Sequence, residues 1–409
     1  MSAAEPARPD TVVTPRRVLP TLVVAQLLGT APWFAVNAVM PDLQRELGWS
    51  TAAVGTLTSA YQLGFIAGTL VFALLAVADR HSARRVFLLC SLASAACTVG
   101  AWAVVRDFHA LLALRLASGF FLAGIYPVGM KLAAQWFPLG LGNALGLLIG
   151  ALIVGSASAH ALRGLGAALP WPSVMLGVAA LAAAGGVLLY RLLPEPPSVH
   201  AAHAAHAAPA RAAHFDWGAL ATLWTDRKVR ASVFGYFGHM WELYTMWVLM
   251  PLVLATRLDG AALSFAAFGV LGVAGALGCV AGGLLARRIG SAPVAAAWLA
   301  TSGLCCLLTP WLIDAPAAPF ALWLAVWGFA VTGDSPQFSA LTASNAPRHA
   351  MGSVLMLTNC IGFAISIVSI ELHVRLATLV PLATLLPWLA VGPLVGLWML
   401  RGLRWGSVR

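Results

Sequence analysis

Apolar runs of roughly twenty residues recur along this chain from Val18 to Arg401, each long enough to cross a hydrocarbon layer as a helix. In lipid every backbone polar group needs an internal partner, so a chain with this pattern folds as a helical bundle. A transmembrane barrel would instead show short alternating segments. Composition agrees. Only 9% of the 409 residues are charged and 60% are hydrophobic, against about 25% charged in ordinary soluble domains. The expected class is an all-α polytopic membrane protein.

Twelve spans are expected, near 18–40, 51–78, 84–105, 110–136, 142–163, 171–193, 230–256, 263–286, 292–313, 319–342, 351–373 and 383–401. They divide the chain into a tail (1–17), a six-helix bundle (18–193), a His/Ala/Pro-rich linker (194–229), a second six-helix bundle (230–401) and a tail (402–409). No cleavable leader is read before the first span. An even number of spans puts both termini on one side. The tails, the linker and the even-to-odd loops hold eighteen Lys and Arg residues, and the opposite loops hold six. That bias predicts cytoplasmic termini and linker in a bacterial inner membrane. The net charge of +10 is therefore read as topology and not as a nucleic-acid footprint.

Several function classes are excluded by absence. There is no Walker loop, no HExxH and no GxSxG, so neither an enzyme nor an ATP-driven pump is expected, and no cofactor. The six cysteines all lie in apolar runs without a CxxC pair, which reads as small buried hydrophobes. His200, His203 and His206, with His214 beyond, lie in the linker without a carboxylate or cysteine to complete a metal site. The linker reads as a tether, and its end, Trp217 to Arg230, as a candidate surface helix.

The two halves repeat. At an offset of 214, Ala53–Leu70 meets Ala267–Leu284 with nine identities in 18 ungapped positions, Gly64 on Gly278 and Gly68 on Gly282 among them. Small residues at four-residue spacing let helices approach closely. At an offset of 209, Gly124-Ile-Tyr-Pro127 meets Gly333-Asp-Ser-Pro336, and Pro138 meets Pro347. Gly and Pro inside a span free backbone carbonyls, and recurrence at matching places in both halves points to a central site.

With these residues in view the chain resembles the major facilitator superfamily. Met40-Pro-Asp-Leu-Gln-Arg-Glu-Leu-Gly-Trp-Ser, Ala60-Tyr-Gln-Leu-Gly-Phe65 and Ala78-Asp-Arg-His-Ser-Ala-Arg-Arg85 resemble its first two spans and the following loop. Leu75 and Ser82 stand where that loop signature has glycines. The second copy, Gly283-Leu-Leu-Ala-Arg-Arg-Ile-Gly290, keeps the glycines and has Arg287 for the acid. Leu114-Arg-Leu-Ala-Ser-Gly119 resembles the fourth-span motif. The resemblance covers the whole chain. It implies two pseudo-symmetric six-helix bundles, rocker-switch alternating access, a cavity lined by spans 1, 4, 7 and 10, and a gating role for Asp79, Arg80 and Arg84. The glycine-rich signatures of the nitrate-moving branch are absent from the fifth and eleventh spans.

Candidate site residues follow from polarity at membrane depth, where a charged group is expensive and usually functional. Glu242 lies about 13 residues into the seventh span, with His239 one turn before it; together with Asp334 at the tenth-span break they are the candidate proton carriers. Glu242 is expected to face the gap between the halves, within reach of His239. Arg115 is the candidate anion-binding cation. Lys131 and Arg163, with His160 near the latter, are weaker candidates that alternatively snorkel to the interface. Tyr126, Asn37, Trp33, Tyr61, Gln62, Tyr244, Gln337 and Asn359 are expected to orient substrate. Glu371, close to His373 and Arg375, is the expected outer gate.

These residues predict a secondary active transporter, with proton-coupled symport of a small organic anion as the leading reading. A proton-coupled antiporter for a drug or metabolite is the alternative, and a non-transporting sensor or scaffold the remote one. The expected partners are a small-molecule substrate, protons and the lipid bilayer, with a monomeric chain and no nucleic acid.

Overall fold

The structure is a computed structural model and describes residues 15–137, 141–166, 169–195, 218–347, 350–401 and 403. The linker histidines His200, His203, His206 and His214, Pro138, most of the N-terminal tail and nearly all of the C-terminal tail lie outside these residues.

The described residues form twelve helical spans in two six-helix bundles. Among the described residues nine helices are long and apolar enough to cross a membrane, and Val18–Gly29 and Ser291–Leu307 are shorter apolar ones. The seventh span, Arg227–Leu254, starts three residues earlier than expected because the Asp226 side chain accepts from Lys228 N and Val229 N at 2.8 and 3.0 Å. The expected surface helix is the short Ala219–Thr225, which packs against the seventh and eleventh spans and buries Leu223.

The first, fourth and tenth spans break where Pro or Gly interrupts them, and the ninth breaks at Leu308, just before Pro310. The first consists of Val18–Gly29 and Ala35–Leu47, with Pro32 between. The fourth consists of Phe108–Leu122 and Tyr126–Trp136, and the tenth of Ala317–Gly333 and Ser335–Asn345. The last two breaks coincide with the paired Gly-x-x-Pro sequences. One irregularity has no counterpart in the first half: the eighth span winds as a π-helix over Phe268–Ala274.

Glycines set the packing inside each bundle. A Cβ on Gly64 would collide with the Leu116 carbonyl, and one on Gly119 with the Tyr61 carbonyl. In the second bundle Gly278 faces the Phe329 carbonyl and Gly328 the Val270 carbonyl in the same way. The second and fourth spans thus cross backbone to backbone, as do the eighth and tenth. Gly64 and Gly278 are 214 apart, and Gly119 and Gly328 are 209 apart, so the crossing is one motif used twice.

Between the bundles the second span packs on the eleventh and the fifth on the eighth. The halves separate over the ends of the fourth, fifth, eighth, tenth and eleventh spans to leave a cavity of about 730 Å³. Its mouth, near Ala134, Arg287 and Ala343, lies on the face of the even-to-odd loops.

Candidate functional site

The cavity ends in a chamber of about 60 Å³ that shares Tyr126, Ile149, Ser339 and Asn359 with it. The seventh span supplies one wall as a stripe of Tyr236, Met240, Leu243, Tyr244 and Trp247, spaced by three or four residues on one face. Trp33, from the broken turn of the first span, forms the roof with Tyr244, their rings stacked at 5.3 Å. Phe34 meets Trp247 at 5.0 Å and Phe65 meets Phe363 at 4.9 Å. These three contacts each join one half to the other. With them Ser366 Oγ donates to Gln62 Oε1 at 2.7 Å, also across the halves. The chamber is thus shut on one side by aromatic rings and a buried hydrogen bond, and open on the other.

The polar wall comes from the tenth and eleventh spans. Tyr236 Oη donates to Asn359 Oδ1 at 2.8 Å. Ser335, the first helical residue after the tenth-span break, lines the chamber and lies 2.6 Å from His239 Nε2. On the far side of the imidazole, Nδ1 lies 2.8 Å from Asp334 Oδ1. That contact has the distance of an ion pair but not the alignment of a hydrogen bond. His239 and Asp334 are both fully buried. Asp334, His239 and Ser335 therefore form a line running from the bundle interior to the chamber surface.

Of the expected substrate residues, Trp33, Tyr126, Tyr244 and Asn359 line the chamber and Gln337 lines the larger cavity. Asn37 is turned to Thr58, whose Oγ1 accepts its amide at 2.9 Å, and borders a small crevice on the closed side. Tyr61 is buried under Arg115, whose guanidinium carbon lies 4.4 Å from the ring centre. Gln62 belongs to the contact between halves. Tyr236, Trp247, Phe363 and Ser366 were not singled out from the sequence. The spacing of the seventh-span stripe signals the first two; the other two depend on a partner half that no local pattern announces.

Two expectations are corrected. Glu242 does not face the gap. Its Oε1 accepts from Trp327 Nε1 at 2.7 Å and Cys306 Sγ at 3.2 Å, and its Oε2 from Ser302 Oγ at 2.9 Å, all inside the second bundle. The reason is helical phase: at about 100° per residue, Glu242 lies roughly 140° around the helix from the middle of the chamber stripe. Arg115 is not a cavity cation. It spans to the first-span break, where Nη1 and Nη2 donate to the Pro32 and Trp33 carbonyls at 2.9 and 2.5 Å. Glu371 pairs at 3.1 Å with Arg375, one turn along its own helix and one of the two neighbours named for it from the sequence.

The remaining charges hold loops. Asp79 pairs with Lys131 at 2.5 Å, so Lys131 is neither a cavity cation nor a free snorkel. Arg84 reaches Glu195 at 3.1 Å, and Arg80 is exposed. Arg163 clasps Asp42 through Nε and Nη2 at 2.9 and 3.0 Å. His160 is buried with Nε2 unpartnered among the described residues. The described residues hold no cluster of three or more His, Cys, Asp or Glu fit for a metal.

The family profile described as Major Facilitator Superfamily matches residues 22–370. The chain belongs to the major facilitator superfamily. Two curated relatives in this superfamily match over part of their length. A chloramphenicol resistance protein of Streptomyces lividans is 33% identical over 166 residues, 39% of this chain and 41% of the relative. A gallate transporter of Pseudomonas putida is 29% identical over 160 residues, 36% of this chain and 34% of the relative. The matched regions thus span well under half of either relative. The human organic anion transporter MFSD10 (TETRAN) superposes with a TM-score of 0.69 over 94% of this chain and 99% of its own, at 19% identity, a likeness of fold. Superfamily membership makes the chain a multi-pass membrane transporter and not an enzyme.

Proposed function

We propose that this transporter carries a small aromatic acid together with protons by alternating access, and that the Asp334–His239 pair is the proton site. The observation that carries the reading is the position of that pair. It is buried, and it touches the chamber through Ser335. At 2.8 Å two bare lone pairs repel, so at least one proton is carried by the pair. With one proton the pair is net negative and disfavours an anion in the chamber. A second proton removes that charge, so proton and anion favour each other's binding. The aromatic walls are of a kind that stacks on a flat ring, and the small chamber opens into the cavity of about 730 Å³, which has room for one. Gallate and chloramphenicol each contain one substituted benzene ring, and a relative of this chain is named for each.

The eighteen-to-six bias of Lys and Arg favours cytoplasmic termini, an inner-membrane location and a cavity open to the cytoplasm. In this reading the Gln62–Ser366 contact and the Trp33–Tyr244 stack are the closed outer gate, and Asp79, Arg80 and Arg84 belong to the opposite gate. The chain works as a monomer.

The test is uptake of radiolabelled gallate and 4-hydroxybenzoate by proteoliposomes under an imposed proton gradient. Uptake driven by acid outside, and lost in Asp334→Asn, is the expected result; uptake indifferent to both sinks the proposal. A second reading, export of a drug or metabolite in exchange for protons, has one observation in its favour. No cationic side chain is among the described residues lining the inner chamber. Proton efflux driven by chloramphenicol, with no response to the acids, selects it.

A further inference from the structure

We propose that Ser335 is the element through which a proton on His239 is sensed in the chamber: protonation of Nε2 reverses the His239–Ser335 hydrogen bond and turns the serine hydroxyl from an acceptor into a donor facing substrate. The inference rests on the reading of the chain as a proton-coupled carrier of an aromatic acid, and deepens it by assigning the coupling to one side chain.

The geometry leaves two arrangements. The 2.6 Å contact between Ser335 Oγ and His239 Nε2 holds one hydrogen. When the imidazole carries its proton on Nδ1, towards Asp334, Nε2 is a lone pair and the serine O–H points at it. Ser335 then shows the chamber only oxygen lone pairs, which repel a carboxylate. When Nε2 gains a proton from the aqueous cavity, its N–H donates to Ser335 Oγ. The hydroxyl keeps its own hydrogen and rotates to aim it at the chamber, where it donates to an anion. No atom moves except the rotating hydrogen and the incoming proton. Ser335 is only half-buried and lines the chamber, whereas His239 is fully enclosed, so the serine is the part of this relay that substrate touches.

The surroundings favour a two-state imidazole. On the tenth span it meets Asp334, Ser335 and Phe338, the ring of the last centred 6.0 Å away. On its own helix Tyr236 lies at 5.8 Å with its hydroxyl committed to Asn359, and Glu242 is turned to Trp327. From the eighth span Cys279 is bonded to the Thr332 carbonyl, two residues before Asp334. Asp334 is thus the one formal charge held against the ring among these groups.

The test measures binding to the purified full-length chain in nanodiscs, by tryptophan quenching, at pH 5.5 and pH 8. The probes are gallate, 4-hydroxybenzoate and pyrogallol, the last a benzene triol without a carboxylate. A hydrogen bond to a charged group corresponds to about tenfold or more in affinity. Wild type is therefore expected to bind the two acids about tenfold tighter at the lower pH and pyrogallol equally at both. Ser335→Ala is expected to bind both acids with the weak affinity at either pH and to keep pyrogallol binding, which shows that its chamber is intact. Ser335→Thr, which retains the hydroxyl, is expected to restore the pH response. A Ser335→Ala chain with the wild-type pH response overturns the switch and leaves the transport reading standing. A wild-type chain that binds neither acid at either pH overturns both. Side-chain nitrogen NMR of wild type, with His239 assigned by difference against His239→Asn, needs no folded serine variant. Nε2 protonated in the gallate complex supports the switch, and Nε2 unprotonated there overturns it.

Discussion

Ser366 and Gln62 share a buried hydrogen bond of 2.7 Å that joins the eleventh span of one bundle to the second span of the other. The Gln62 amide nitrogen has no partner among the described residues, so the bond is the polar tie at that point of the interface. Removing it weakens the closed face without touching either bundle's interior. Ser366→Ala is expected to shift the balance towards the opposite state by about fivefold, the equivalent of about 1 kcal/mol for one net hydrogen bond. Spin labels at Ser50 and Thr378, at the closed ends of those two spans, are expected to report a larger population of long distances. An unchanged distribution means that the aromatic contacts alone hold the face shut.

Arg115 acts on stability. Its guanidinium meets the two carbonyls left over by the first-span break, with Tyr61 beneath it. Arg115→Ala orphans the Trp33 carbonyl and leaves the Pro32 carbonyl only its long 3.4 Å bond from Ala35 N, and is expected to destabilise the chain by about 2–4 kcal/mol. Arg115→Lys recovers part of this, because an ammonium lacks the fork that reaches both. Thermal unfolding in detergent without substrate checks the order wild type, Lys, Ala. Equal melting temperatures contradict it.

Glu242 accepts three donors away from the chamber. Glu242→Gln can turn its NH₂ to Ser302 Oγ, which accepts it while donating to the Leu299 carbonyl at 3.2 Å, so the cost is expected to stay within about 1 kcal/mol. Gallate affinity of the folded variant is expected to stay within about threefold of wild type, since no chamber wall changes. A large loss of affinity at unchanged stability contradicts the geometry.

The glycine crossings give a paired prediction. Gly64→Ala and Gly278→Ala each drive a methyl into a carbonyl of the neighbouring span, Leu116 and Phe329 respectively. Both are expected to abolish or sharply reduce folded protein. Gly269→Ala and Gly283→Ala, which have nothing within 4 Å, are expected to express normally. Size-exclusion yields in detergent compare the four.

The twelve spans, the Gly-x-x-Pro breaks and the twofold repeat were legible in the sequence, because apolar length, proline and glycine act locally on the backbone. Asp334 and His239 were each legible as candidates for a similar reason, since charge at membrane depth is rare, but the sequence sets His239 beside Glu242, and its contact with Asp334 comes from the tertiary packing. What each polar group turns towards was not. Glu242 shares a helix with the chamber stripe, and only its phase against that stripe, Tyr236 to Trp247, separates the two faces. Arg115 reads as a cavity cation until the position of the Pro32 break is known, because its partners are backbone atoms that no residue type advertises. The Gln62–Ser366 bond joins residues of different halves, and serine and glutamine are too common for their pairing to be read in advance. The π-turn at Phe268–Ala274 falls on a segment whose ungapped counterpart, Val54–Ala60, is an ordinary α-helix.

The glycine crossings carry a mechanical consequence. Within each half, the second and fourth spans, or the eighth and tenth, press main chain against main chain, with no side-chain layer to shear or repack. Across the halves, the contacts that shut the chamber are rings and a serine hydroxyl, which release by rotating about single bonds. Stiffness and compliance are thus assigned to different seams of one molecule: two plates that keep their shape, and a clasp between them made of parts that let go.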